Sequence, residues 1–249
     1  MLGLPAHVKA CLFDLDGVLT QTARVHTEAW EEVFNAFLAK RAAMTAEPFR
    51  PFDPGPDYAQ YVDGKARADG VRAFLASRGV VLPEGNADDP PEAETISGIG
   101  NRKNQILLRR IRDHGVQVYD GSVAYLHAAR WVGMRRAVVS SSANCRDVLV
   151  AAGIEELVEV RVDGIVAREH GLRGKPHPDM FLAAAHLLGV APQNAAVFED
   201  ALAGVAAGRA GGFGCVVGVD RKDIADELRA NGADIVVRDL SELLVGAVR

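Results

Sequence analysis

Four segments of the chain carry clustered polar residues, three of them directly after short apolar runs. Val8–Phe13 leads into Asp14-Leu15-Asp16-Gly17. Residues two apart on an extended segment point to the same side, so Asp14 and Asp16 could share one pocket. Carboxylates that close repel, and they coexist only with a cation or a shared proton. A turn with a helix cap would use the same letters. Val138-Val139 leads into Ser140-Ser141-Ser142-Ala143-Asn144. Hydroxyls and backbone N–H groups at a strand-to-helix turn make an anion cradle, although an N-cap is the simpler use of them. Gly174-Lys175-Pro176-His177-Pro178-Asp179 sets a lysine just before a helix opening. It could neutralise phosphate and carboxylate together, or be an ordinary solvated charge. Ala196-Val197-Phe198 leads into Glu199-Asp200. An acidic pair there suits a hard divalent cation such as Mg²⁺, which prefers a few carboxylates plus substrate oxygens and water. Surface acidity is the alternative.

The elements around these segments explain how they could meet. Strand patterns occur at Val8–Phe13, Ala137–Val139, Val158–Val162, Ala195–Phe198, Cys215–Val219 and Ile235–Val237. After Gly115 they alternate with helical patterns near Tyr125–Trp131, Arg146–Ala152, Met180–Leu188, Leu202–Ala210 and Ile224–Ala230. Such alternation predicts a parallel sheet with helices on both faces, and ligands sit at the carboxyl ends of its strands. The first strand is separated from the others by helical patterns at Arg24–Arg41, Asp69–Ser77 and Arg102–Arg112. Two Pro-bearing connections, Thr45–Pro56 and Pro83–Pro91, lie among them. The expected architecture is an α/β core interrupted by a helical insertion, without internal repeats.

The composition is that of a globular protein: 249 residues, 49% hydrophobic and 24% charged. Lys+Arg 28 against Asp+Glu 33 leaves a net charge of −5, with no broad basic field for nucleic acid or an anionic membrane. No run of about 18 apolar residues spans a membrane. Cys11, Cys145 and Cys215 form neither a disulfide framework nor a CxxC metal site. With no signal-peptide pattern at the start, a cytoplasmic setting is expected.

Together, FDLDGVLT, VVSSS, GKPHPD and VFEDALAG resemble the four motifs of the haloacid-dehalogenase-type phosphotransferases. The resemblance covers nearly the whole chain. It implies a Rossmann-like parallel sheet core, residues 1–22 and 116–249, with an inserted all-helical cap, residues 23–115. It also implies that Asp14 is the nucleophile that becomes an aspartyl-phosphate. Asp16 would be the general acid/base and lend its backbone carbonyl to Mg²⁺. Ser140 and Lys175 would hold the transferring phosphoryl group, and Glu199 and Asp200 would complete the metal site with Asp14. A second aspartate at position 16 argues against carbon–halogen cleavage, whose enzymes lack a carboxylate there.

The helical region carries a narrower resemblance. Gln21-Thr22-Ala23-Arg24-Val25-His26, Asp63-Gly64-Lys65-Ala66-Arg67 and Arg102-Lys103-Asn104 resemble the β-phosphoglucomutase-like branch of that family. This implies substrate or hinge roles for Thr22, His26, Arg67 and Lys103, with Ser142 and Asn144 on the core side. The implied substrate is a small sugar phosphate handled by a monomer. The implied reaction is interconversion of β-glucose 1-phosphate and glucose 6-phosphate through a hexose bisphosphate. A sugar-phosphate phosphatase on the same scaffold is the alternative. A phosphorylatable signalling receiver fits less well, because receivers are shorter and lack the insertion. Three departures concern the sugar: Ala143 replaces the branch's usual lysine, Gln21 replaces its aspartate, and the Pro-bearing loops lengthen the cap. Arg146 is a candidate substitute for the missing lysine. Gly98-Ile99-Gly100 is expected between loop and helix, so it is no dinucleotide site.

Overall fold

Strand β1 (Ala10–Phe13) is apolar and fully buried because it has neighbours on both sides and helices over both faces. The computed structural model describes residues 2–45 and 48–244. Beside β1 lie β2 (Arg135–Val139) and β4 (Ala195–Glu199), and outside these β3 (Val160–Val162), β5 (Cys215–Val219) and β6 (Ile235–Val237). All pairings are parallel, in the order β3-β2-β1-β4-β5-β6. The order reverses between β1 and β4, which is where open sheets of this kind bind ligands. Phe13 stands opposite Val138 on one side and Phe198 on the other. Asp14 and Glu199, each next along, are thereby brought level at the carboxyl ends.

Side chains alternate along β1 as a pleated strand requires. Ala10 and Leu12 pack with Met180, Phe181, Ala184 and Ala185 of α7 (Asp179–Leu187) and Ala207 of α8 (Leu202–Ala210). On the opposite face Phe13 stacks on Phe198 at 4.5 Å and meets Tyr125 of α4 (Asp120–Trp131) edge-on at 6.1 Å. Helix α5 (Cys145–Ala151) follows β2, and α9 (Ala225–Ala230) follows β5. A short helix, α6 (Gly164–Glu169), follows β3 and has no counterpart among the helical patterns of the sequence. Its signal is local: the Asp163 carboxylate caps it by accepting from the N–H groups of Ile165 and Val166, both at 3.0 Å.

The chain divides into two compact units, Met1–Gln21 with Val116–Arg249, and Thr22–Gly115. Among the described residues, the regular elements of the second unit are all helical. It holds α1 (Ala23–Thr45), a π-helical turn (Tyr58–Val62), α2 (Arg67–Ser77) and α3 (Ile96–His114). Trp30, Phe34 and Leu38 recur four apart on α1 and face inward, as the 3.6-residue period predicts. Phe34 lies 4.1 Å from Phe74 and 5.3 Å from Phe52, so α1, α2 and the first Pro-bearing loop share one aromatic core.

Two expectations need correction here. Helix α3 begins at Ile96 rather than Arg102, so Gly98 and Gly100 lie inside it. Thr95 makes the difference: its hydroxyl accepts from Gly98 N–H at 2.9 Å and caps the helix six residues early. Glycine is needed at position 98, where a Cβ would run into the Ala93 carbonyl, while one on Gly100 would sit 3.0 Å from the Arg67 stem. The π-helical turn is likewise unexpected; it follows directly on the proline-rich stretch. Cys11, Cys145 and Cys215 are all free and buried. Among the described residues, no helix is long and apolar enough to cross a membrane.

Candidate active site

The carboxyl ends of β1 and β4 bring Asp14, Glu199 and Asp200 together. Each offers a ligand oxygen within 4.8 Å of the others, and all three are buried. Lys175, almost wholly enclosed, reaches in from the loop before α7. Its ammonium donates to Asp14 Oδ1 at 2.5 Å, to Glu199 Oε1, and to the Val139 carbonyl at 3.3 Å. The other oxygen of Glu199 accepts from Ala201 N–H at 2.9 Å. One ammonium among three carboxylates leaves a net −2, which a divalent cation would balance. Hard, buried, all-oxygen donors fit such an ion.

Burial raises the Asp14 pKa well above the ordinary carboxylate range; Lys175 opposes the shift, while Glu199 and Asp16 add to it. Burial works against the Lys175 ammonium, but Asp14 and Glu199 outweigh it and hold its pKa above the usual value. The lysine is therefore a fixed positive charge throughout the working pH range.

Small residues let the cluster close. A Cβ on Gly17, which has φ +97°, would collide with the Asp200 carboxylate, and one on Gly204 would collide with that of Glu199. Gly204→Ala should therefore destabilise the protein by about 1–3 kcal/mol through overpacking. An unobstructed helical glycine would instead gain about 0.5–1 kcal/mol from the same change. Urea unfolding separates these outcomes, and a gain would show that Glu199 yields freely.

The serine turn follows β2. Ser140 is buried, and its hydroxyl oxygen accepts from Ser142 N–H at 3.1 Å. Ser142 in turn accepts from Asn144 N–H at 3.1 Å. Each hydroxyl keeps its own proton to donate, so the turn can serve both as a helix entry and as an anion cradle. Arg146, the candidate substitute for the missing lysine, is exposed and paired with Glu155 at 3.2 Å.

The helical unit has its own polar group. Lys103 is buried, lies 3.1 Å from His26 Nδ1, and sits 5.1 Å above the Trp30 ring. Arg67 opens α2 and reaches the Gly100 carbonyl at 3.5 Å and Asn101 Oδ1 at 3.4 Å. Thr22 is buried, and its carbonyl accepts from His26 N–H at 2.9 Å. Thus Thr22, His26, Arg67 and Lys103 belong to the helical unit. Asp14, Asp16, Ser140, Ser142, Asn144, Lys175, Glu199 and Asp200 belong to the sheet unit.

Residues 8–212 match the family model of haloacid dehalogenase-like hydrolases. The chain belongs to that family. It is 59% identical over 247 residues to a β-phosphoglucomutase of Mycobacterium tuberculosis, covering 98% of this chain and 94% of the relative. A β-phosphoglucomutase of Bacillus subtilis is 30% identical, with 95% of this chain and 92% of the relative aligned. The crystal structure of a Clostridium difficile β-phosphoglucomutase superposes with a TM-score of 0.74 at 25% identity, covering 95% and 93% of the two chains. The chain is thus an enzyme, a β-phosphoglucomutase-like member of the haloacid dehalogenase-like hydrolases.

One residue beside this family's aspartate loop is not marked by any sequence pattern. Arg221 follows β5 and donates through Nε to the Gly17 carbonyl at 2.9 Å. A single arginine after an apolar strand has no spacing that singles it out, and its partner lies 204 positions away.

Proposed function

We propose that the chain is a Mg²⁺-dependent β-phosphoglucomutase, converting β-glucose 1-phosphate to glucose 6-phosphate in the cytoplasm as a monomer. What supports this is the buried Asp14–Lys175–Glu199 cluster at the sheet's switch point, in a chain so similar to known β-phosphoglucomutases. Asp14, Glu199 and Asp200, with the Asp16 carbonyl, would hold the Mg²⁺. The ion would neutralise charge on the phosphoryl oxygens and let the nucleophile approach.

The chain's own groups do the rest. Phospho-Asp14 gives its phosphoryl group to the 6-hydroxyl of β-glucose 1-phosphate while Asp16 takes the hydroxyl proton. The resulting bisphosphate turns round. An Asp14 oxygen then attacks the 1-phosphorus, the bond from phosphorus to the anomeric oxygen breaks, and Asp16 returns its proton to that oxygen. Glucose 6-phosphate leaves and phospho-Asp14 is restored. Lys175 and Ser140 hold the phosphoryl oxygens in flight. Arg67 grips the distal phosphate, with Lys103, His26 and Thr22 placing the sugar and Ser142 and Asn144 lining the core side. Orienting each attacking oxygen in turn at its own phosphorus is worth several orders of magnitude in rate.

The test supplies β-glucose 1-phosphate, Mg²⁺ and a trace of glucose 1,6-bisphosphate. Rapid glucose 6-phosphate with little free phosphate is expected; mainly free phosphate would instead mark a phosphatase. Arg67→Ala should cut mutase kcat/KM by about 10²-fold, the value of a charge-assisted contact. Hydrolysis of a small aryl phosphate should change little in the same variant. Equal loss of both activities would remove Arg67 from the distal site.

A further inference from the structure

We infer that Arg221 is a positioning residue for the loop that carries Asp14 and Asp16. Its guanidinium is fixed on several sides. Nε donates to the Gly17 carbonyl at 2.9 Å, and Nη1 donates to the Arg238 carbonyl at 2.6 Å. The plane stacks 3.5 Å from the Tyr119 ring centroid, and an Asp239 oxygen lies 3.7 Å from Nη1. Its side chain is only 15% exposed. Two carbonyls and one ring hold this arginine as a brace through Nε, Nη1 and the guanidinium face, because a rigid planar fork loses little freedom in making several contacts at once.

What it braces is the loop's most deformable residue. Gly17 has φ +97°, a region open to glycine and strained for other residues. It has to be glycine, since a Cβ there would meet the Asp200 carboxylate. That freedom must be removed some other way, and two hydrogen bonds do so. Gly17 N–H donates to the Thr20 carbonyl at 2.8 Å, which pins the peptide plane containing the Asp16 carbonyl. Arg221 pins the next plane through the Gly17 carbonyl. With both planes held, the backbone that follows Asp16 has one conformation. Remove Arg221, and only the first plane remains tied.

The inference rests on the assignment of Asp14 and Asp16 as the reacting carboxylates, and its test is separable from that assignment. Arg221→Met and Arg221→Lys are assayed with β-glucose 1-phosphate and with a small aryl phosphate. Amide exchange is followed by NMR, well below the Tm of each variant. Arg221→Met is expected to lower kcat for both substrates by about tenfold or more, with KM within about twofold, because misplaced reacting groups cost rate rather than binding. Exchange should quicken at Gly17 and its loop neighbours and stay unchanged in β5 and α7. Arg221→Lys, which reaches one carbonyl but cannot fork or stack, should recover part of kcat. Unchanged protection at Gly17, or faster exchange spread evenly over the chain, would overturn the inference. So would a fall in kcat matched by an equal rise in KM. Should the wild-type protein prove inactive on the sugar phosphate, the mutase reading fails, while the aryl phosphate and Gly17 exchange still decide the role of Arg221.

Discussion

Asp14→Asn is expected to abolish turnover, by at least about 10⁴-fold, as loss of a covalent nucleophile does. It should also raise the Tm of the metal-free protein. Asparagine has nearly the same shape but no carboxylate to attack phosphorus, so no aspartyl-phosphate forms. The stability gain has a separate cause. Asp14 is buried beside Glu199 and Asp16, and both burial and those neighbours favour its neutral form despite Lys175. The substitution removes one negative charge from a cluster with a net excess of two, and Lys175 keeps Glu199 as partner. The pH dependence follows from the sign of the shift. Asp14 is raised in the folded protein above its ordinary 3.8, so its stabilising contribution is present at acid pH. It is lost as pH rises from about 3.8 through the folded value. Thermal unfolding in EDTA from pH 5 to 8 should show this decline in the wild-type protein and a flatter profile in the variant. Added Mg²⁺ should stabilise the wild-type protein more than the variant. A lower Tm for Asp14→Asn without metal would contradict the electrostatic account.

Lys175→Met should do the opposite to stability. The ammonium is the cation of a buried ion-pair cluster, donating to Asp14, Glu199 and the Val139 carbonyl. Removing it strands buried carboxylates, which costs about 3–5 kcal/mol where no other cation substitutes. Turnover should fall by about 10²–10³-fold, the usual effect of deleting one preorganised group that stabilises transferring charge. The Lys175 pKa is raised above the ordinary 10.5, so its stabilising contribution is complete below that pH. It disappears only as pH climbs through the folded value. The destabilisation should therefore be nearly constant between pH 6 and 9 on the lysine's side, and Mg²⁺ should restore part of it. A loss below about 1 kcal/mol in urea would place Lys175 among ordinary surface charges.

Both residues are legible in the sequence. Asp14 ends an apolar run, and Lys175 stands between a glycine and a proline at a helix opening. The six strands are legible for a similar reason: runs of Val, Ala, Ile and Phe bounded by polar residues are a local pattern. The boundaries are less so. β1 starts at Ala10 rather than Val8, because its neighbours β2 and β4 set where the ladder begins. The residue pattern starts α3 too late, since two glycines look like a break, whereas the Thr95 cap and close packing at Gly98 keep the helix continuous.

From residue order alone came the polar ends of three strands, the lysine at a helix opening, the helical insertion and the phosphotransferase resemblance. The strands and the insertion depend on composition and period, which neighbouring residues determine among themselves, while the resemblance rests on the four motifs. Tertiary structure decided which charges meet. Lys175 reaches Asp14 across 161 positions, and Arg221 reaches Gly17 across 204. Contacts of that span exist only after the sheet has chosen its order, because the crossing from β3 to β4 seats the acidic pair beside β1. The choice comes from burying the four central strands on both faces and leaving β3 and β6 at the edges, a requirement that belongs to the whole chain.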